Sequence, residues 1–141
     1  KGLGAPVGSV FLSDAQTIKK ARKIRKVLGG GMRQAGFLAA AGIYALDNHV
    51  KRLATDHNHA KALAATLTNA SFVSSVMPVE TNIVLFDITP NLKVDSVVKA
   101  LANKGVLCNA TSNKTVRFVT HLDVAAAAID ETIEIITKLN I

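Results

Sequence analysis

The sequence predicts a mixed α/β protein in which a helical first half is followed by a small layer of strands and helices. Three observations lead to this fold class. Apolar residues recur at helical spacing up to about residue 70. Short β-rich runs and two helical patterns follow one another from residue 71 to the end. A hydrophobic content of 49% in 141 residues supplies enough apolar surface for one core, or for one domain with part of another.

The chain opens on a loop and then enters its first helix. Glycines at positions 2, 4 and 8 and a proline at position 6 favour an irregular, shaped backbone. Residues 9–12 (SVFL) are typical of a short buried strand. Ser13, with Gln16 three positions later, predicts a capping box and a helix that starts near Asp14. The glycine run 29–31 predicts the end of that helix.

The first helix carries a local basic face that accounts for much of the net charge of +7. Such a stripe is one feature of a nucleic-acid-binding module, which is an alternative from a different functional class. The stripe is short, however, and has no aromatic side chains on which bases could stack. We therefore expect no nucleic-acid partner. The stripe consists of Lys19, Lys20, Arg22, Lys23, Arg25 and Lys26.

The next predicted helix, within residues 32–48, is apolar around its whole circumference. Such a helix must be covered on all sides, and we expect a second subunit or an upstream part of the same protein to cover it. The chain begins inside a turn and without methionine, which also suggests an upstream segment. The apolar run is shorter than the roughly 20 residues that span a bilayer, so no membrane partner is expected. A single cysteine, Cys108, favours a reducing compartment, the cytoplasm.

The remaining residues predict a connecting helix and an α+β layer. Residues 49–70 continue in an amphipathic helical pattern. The order β-β-α-β-β-α follows, with the helices covering one face of the sheet. The strands are predicted over 72–77, 82–88, 106–109 and 115–120, and the helices over 94–104 and from residue 123.

Few side chains outside these patterns suggest chemistry by themselves. A lysine next to a Gly-x-Gly turn, like Lys1, is in most proteins a solvated loop residue. His49, His57 and His59 are predicted on a solvated helix face, and the spacing of two between the last pair is wrong for a helical metal site. No metal is expected. Cys108 is expected to be a small buried hydrophobe on a strand.

Two dense motifs change the interpretation of these residues. The segment KGLGAPVGS at 1–9, followed by GGGMRQAG at 29–36, resembles the low-specificity L-threonine aldolase family. The resemblance covers essentially the whole chain. It implies a pyridoxal-phosphate (PLP) enzyme with the α/β fold of aspartate aminotransferase, PLP fold type I. Residues 1–48 would be the C-terminal end of the PLP-binding large domain, residues 49–70 a connecting helix, and residues 71–141 a small α+β C-terminal domain.

The resemblance also implies a set of site residues. Lys1 would be the catalytic lysine that forms the internal aldimine, a Schiff base with PLP. Lys26 and Arg33 would approach the PLP phosphate from the neighbouring subunit of a homodimer or homotetramer. Arg117 would bind the substrate α-carboxylate, for which a bidentate guanidinium is suited. His121 belongs to the same motif and is expected to hold the loop.

The implied reaction is aldol cleavage of L-threonine, L-allo-threonine and related β-hydroxy-α-amino acids to glycine and an aldehyde. A lysine and two arginines of this kind also serve other reactions. Another type I PLP lyase, either β-eliminating or similar to glycine hydroxymethyltransferase, is therefore the nearest alternative. The base that removes the β-hydroxyl proton would lie upstream of residue 1. We expect residues 1–141 alone to be inactive.

Overall fold

The computed structural model describes residues 2–141, and Lys1 lies outside the described residues. The chain divides into two compact units, with the boundary between Val50 and Lys51. The first unit contains helices α1 (Ala15–Val27) and α2 (Gly36–His49). The second contains α3 (Leu53–Thr68), β1 (Val73–Val76), β2 (Ile83–Ile88), α4 (Val94–Ala102), β3 (Asn109–Ala110), β4 (Thr115–Val119) and α5 (Ala126–Lys138).

The start of the first unit differs from the prediction in two details. The strand expected at residues 9–12 is wrong, because these residues pair with no strand of the described chain and are exposed. Asp14, and not Ser13, caps α1: its carboxylate accepts from the Thr17 amide at 2.9 Å and from the Thr17 hydroxyl at 2.7 Å. These bonds satisfy an otherwise free amide of the first turn.

The helix α2 begins later than predicted and lies mostly uncovered. Gln34 adopts a φ of 52°, in the left-handed region, which delays the helix until Gly36. Phe37 is 88% exposed, and Ala45 is the helix residue that is buried among the described residues. The apolar circumference predicted from the sequence is therefore present without a cover. Among the residues that the structure describes, no helix is long and apolar enough to cross a membrane.

The second unit is built on an antiparallel sheet of order β1-β2-β4-β3, and it confirms the predicted order β-β-α-β-β-α. Alternate residues of β2 and β4 point to the helices and form the core with them. Full burial of a side chain such as Phe86 contributes about 1.5–3 kcal/mol. The core residues of the two strands are Val84, Phe86, Ile88, Val116 and Phe118, and those of the helices include Leu63, Leu67, Val97, Leu101, Ile129 and Ile136.

The two outer strands of the sheet are irregular or short. β1 changes register between Val73 and Ser75 where it pairs with β2. The strand predicted at 106–109 is reduced to the two residues of β3, of which only Asn109 lies in the predicted range. Val106 and Cys108 pack against the core and Leu107 is exposed, without pairing to another strand. The two edge strands of the sheet, β1 and β3, thus have little regular backbone pairing.

Candidate functional site

The loop that follows Lys1 is attached to the end of α2. Gly4 has a φ of 78°, a conformation that favours glycine. The His49 ring lies with Nδ1 2.5 Å from the carbonyl oxygen of Leu3. His49 is half-buried, so the prediction that it lies on a solvated face was wrong. Lys1 itself lies outside the described residues, and its role stays a prediction.

A glycine turn brings the side chain of Lys26 against the backbone that precedes α2. A Cβ atom placed on Gly31 would lie 2.9 Å from Lys26 Nζ, and one on Gly30 would lie 2.6 Å from Arg25 Cγ. The turn is therefore closely packed over these two basic side chains, and only residues without a Cβ fit there unchanged. The ammonium of Lys26 is held beside the backbone of Gly31.

Arg33 lies between this turn and the start of α2. Its side chain is exposed, and helix α2 begins three residues later at Gly36. The residue that precedes the helix, Ala35, has no side chain that could cap the first amides, so these N–H groups are free to meet an anion. Within residues 2–141, no ion pair joins Lys26 or Arg33 to a carboxylate. The positive charge of this segment is not internally neutralised.

Arg117 lies in the middle of β4, on the sheet face opposite the helices. It pairs with Leu85 of β2 on one side and with Asn109 of β3 on the other. Its Nε atom is buried without a hydrogen-bond partner in the described part of the chain. A buried, unpaired guanidinium nitrogen is costly unless a ligand or another segment binds it.

Asp87 of β2 lies on the same face of the sheet as Arg117, but its carboxylate is already bound by other residues. Lys114 Nζ lies 2.8 Å from one carboxylate oxygen, and the Thr115 hydroxyl donates to the other at 2.6 Å. The hydrogen bond from Lys114, followed by that from Thr115, holds the pKa of Asp87 below 3.8. The carboxylate therefore stays ionised and has its own partners, and Arg117 keeps its charge available.

The other predicted residues take structural places. His121 Nδ1 accepts from the Asp123 amide at 3.3 Å, as a loop-holding role requires. Burial raises the pKa of Cys108 to about 11, which suppresses its thiolate. His59 Nδ1 is buried without a partner among the described residues, which the expectation of a solvated face did not foresee. Residues 2–141 contain no cluster of three or more side chains that could bind a metal ion.

The structure places these candidates in separate units. Lys26 and Arg33 belong to the first, which ends at Val50, and Arg117 belongs to the second. Each unit by itself contains a basic group without a carboxylate partner among the described residues. The prediction that all of them serve one site stays a prediction.

Two relatives found by comparison with curated proteins have the same name, low-specificity L-threonine aldolase. The chain is 44% identical over 131 residues to the low specificity L-threonine aldolase of Escherichia coli K12, and the match covers 93% of the chain and 38% of the relative. It is 38% identical over 136 residues to low-specificity L-threonine aldolase 1 of Arabidopsis thaliana, which covers 94% of the chain and 38% of the relative. The chain thus spans less than half of the length of these curated relatives.

Two of the solved structures that share the fold are ornithine aminotransferases. The Plasmodium falciparum ornithine delta-aminotransferase matches with a TM-score of 0.57 and 20% identity, over 72% of this chain and 28% of that one. The Plasmodium yoelii enzyme matches with a TM-score of 0.58 and 19% identity, over the same shares. These matches confirm the predicted type I fold. Residues 1–90 match the beta-eliminating lyase family, and the chain belongs to that family.

Proposed function

We propose that the chain is part of a PLP-dependent aldolase that cleaves L-threonine and related β-hydroxy-α-amino acids to glycine and an aldehyde. The structural observation that carries the proposal is Arg117, whose guanidinium has a buried Nε without a partner among the described residues. The names of the relatives, low-specificity L-threonine aldolases, support the reaction. The substrate is accordingly an α-amino acid.

Arg117 is suited to bind the α-carboxylate of this substrate. A guanidinium presents a planar fork of donors that matches the two oxygens of a carboxylate. The competing carboxylate of Asp87 is paired with Lys114 and Thr115. Arg117 would fix the orientation of the amino acid, so that the Cα–Cβ bond is presented for cleavage.

Lys26 and Arg33 fit the phosphate of PLP. The lack of a Cβ at Gly31 leaves the backbone close to Lys26 Nζ, and the first amides of α2, which begins five residues later, are free to bind an anion as well. Arg33 adds a second cation on the exposed side of the same turn. The donor set is cationic, and no carboxylate of the described residues is paired with it. These residues therefore provide the cationic hydrogen-bond donors that a phosphate group needs.

Lys1 is the residue that would hold PLP covalently through its primary amine. When bound, PLP supplies an electron sink for the bond that breaks at Cα. The residues of this chain contribute the covalent anchor, the phosphate contacts and the carboxylate contact.

The exposed α2 supports an oligomer in which subunits share the site. A helix that is apolar on all sides and carries Phe37 at 88% exposure needs a cover of comparable chemistry. We propose a homodimer or homotetramer, with Arg33 and Lys26 reaching the PLP phosphate of the neighbouring subunit. The cytoplasm is the proposed location, since a lone cysteine suits a reducing compartment.

The experiment uses the full-length protein. With PLP bound, borohydride reduction should fix the cofactor covalently, and mass spectrometry of the digested protein should locate the adduct on Lys1. Lys1→Ala should leave a folded protein that binds PLP through its phosphate contacts but does not turn over L-threonine. Lys19→Ala, which removes an exposed lysine of α1, is the matched control and should keep both properties. An adduct on another lysine, or multiple turnovers by Lys1→Ala, would refute the proposal.

The family description favours one rival, a β-eliminating lyase. Product analysis separates the two reactions. An aldolase releases acetaldehyde and glycine from L-threonine, whereas a β-eliminating lyase releases ammonia and pyruvate from serine. Ammonia and pyruvate from serine at a rate above that of threonine cleavage would reverse our order of preference.

A further inference from the structure

We propose that His49 is a positioning residue for the loop that carries Lys1, and that it acts through its hydrogen bond to the Leu3 carbonyl. This inference rests on the proposed role of Lys1 and deepens it. His49 is one residue from the end of the first unit and 46 positions from Leu3 in sequence. The interaction therefore joins two segments that are distant along the chain.

The loop has very little else to hold it. Among the hydrogen bonds between described residues, the bond to His49 is the only one that residues 2–12 make. These residues form no helix and no strand, and Leu3 is half-buried where most of its neighbours are exposed. A segment with a single long-range hydrogen bond depends strongly on that bond for a defined conformation.

The histidine ring is in turn held by α2. His49 is the last residue of that helix, so its backbone is fixed by the helical hydrogen bonds. The Tyr44 ring meets the His49 ring edge-on, with 5.5 Å between the centroids. A carbonyl oxygen only accepts, and therefore His49 must carry a proton on Nδ1 to form the bond. The donor to Leu3 is therefore a ring that needs a proton on Nδ1, lies at the end of α2 and packs against the Tyr44 ring.

A restraint at Leu3 acts on Lys1 because only Gly2 separates them. Two residues of extended chain reach only about 7 Å, so a restraint at one residue is passed to its near neighbours. We therefore expect the restraint at Leu3 to limit the positions from which the Lys1 amine reacts. Preorganisation of a reacting group raises rate without requiring tighter substrate binding.

The test compares two variants of the full-length enzyme. His49→Phe keeps a ring against Tyr44 and removes the donor, whereas His49→Asn returns an N–H close to the position of Nδ1. Covalent capture of PLP by Lys1 is followed in the apoenzyme without substrate, by its visible absorption and by borohydride trapping. We expect His49→Phe to slow capture about two- to tenfold and to lower kcat by a similar factor, with the KM for L-threonine little changed.

His49→Asn should recover most of both rates, and His57→Phe on α3 is the matched control that should change neither. A merely structural role of His49 would lower the melting temperature of both His49 variants without the recovery by asparagine. Equal rates for wild type and His49→Phe, or equally slow rates for the two variants, would overturn the inference. Failure of the wild-type enzyme to attach PLP to Lys1 would instead refute the proposed function.

A measurement on the wild type keeps the inference testable if His49→Phe does not fold. Nitrogen NMR of the histidine-labelled enzyme reports which ring nitrogen of His49 carries a proton. We expect His49 Nδ1 to carry a proton, and we expect its nitrogen signal to shift when the loop loses its contact with the ring. A ring whose only proton is on Nε2 could not donate to Leu3 and would overturn the inference.

Discussion

The Thr120 hydroxyl donates a hydrogen bond of 2.7 Å to the backbone carbonyl of Asp56, and both residues are only 1% exposed. This bond joins the end of β4 to the first turns of α3. The Asp56 carboxylate is bound by both terminal nitrogens of Arg52, at 2.6 and 2.9 Å. The end of the strand that carries Arg117 is thereby fixed to a helix whose buried charge is paired.

Thr120→Val should destabilise the chain by about 0.5–1.5 kcal/mol, because it removes a buried hydrogen bond to the Asp56 carbonyl, which lies inside α3 and keeps its helical bond. Valine has nearly the same shape, so the effect isolates the hydroxyl. The free energy of unfolding in denaturant measures it. Thr137→Val is the control, since its hydroxyl only bonds back to Ile133 on the exposed surface of α5; that change should stay within about 0.5 kcal/mol. Equal effects of the two substitutions would contradict the prediction.

Lys114→Met should reduce stability at neutral pH and lose this effect in acid. The hydrogen bond from Lys114 is the largest cause of the lowered pKa of Asp87, and Thr115 adds to it. A carboxylate with a lowered pKa stabilises the fold fully above its unfolded value, 3.8, and loses that contribution as the pH falls through the folded value. The difference between wild type and variant should therefore shrink below pH 3.8.

Unfolding curves measured from neutral to acid pH test this dependence. Lys138→Met is the comparison: Lys138 also lowers the pKa of Glu134, but this pair is exposed on both sides, so its pH-dependent difference should be smaller. A stability difference for Lys114→Met that is constant with pH would show that Asp87 is not its source.

Arg117→Ala should raise the KM for L-threonine and lower kcat/KM by about thirty- to a thousandfold, because loss of one member of a desolvated charged pair costs about 2–4 kcal/mol. The absorption of bound PLP should not change. Arg117→Lys keeps the charge but loses the fork, so we expect an intermediate effect. Unchanged kcat/KM in the alanine variant would remove Arg117 from the substrate site.

Gly31→Ala should weaken PLP binding by displacing the ammonium of Lys26. The added Cβ would lie 2.9 Å from Nζ and Cδ of that side chain, which is flexible and can move away. Gly36→Ala is a close control, since its Cβ would meet nothing within 4 Å. Titration of each apoenzyme with PLP compares the affinities. Equal affinity of the two variants would indicate that Lys26 does not contact the phosphate.

Regular elements with strong patterns could be predicted from the sequence. The β-rich runs at 82–88 and 115–120 predicted two strands, and the structure forms β2 (Ile83–Ile88) and β4 (Thr115–Val119) there. Glycine ended α1 as expected, with Gly29 at a φ of 83°. Local chemistry determines these features, so a single sequence contains enough information for them.

The wrong predictions have a different origin, because these features depend on contacts between segments that are distant along the chain. Residues 9–12 have the composition of a strand, but a strand also needs a neighbour, and no described segment provides one. The bond between His49 and Leu3 could not be found from spacing, because two segments 46 positions apart must meet to form it. For Arg117, the sequence predicted only that it lies in a strand; the lack of a partner for Nε among the described residues required the packed structure.

The irregular outer strands have a consequence for how copies of this protein meet. A sheet edge with free backbone groups can add strands from other chains, which leads to aggregation. The register change in β1 and the two-residue length of β3 leave neither edge long enough to act as a template. Growth by strand addition is disfavoured at both edges, so the association of identical chains that we propose would use the exposed apolar helix α2 and not the sheet.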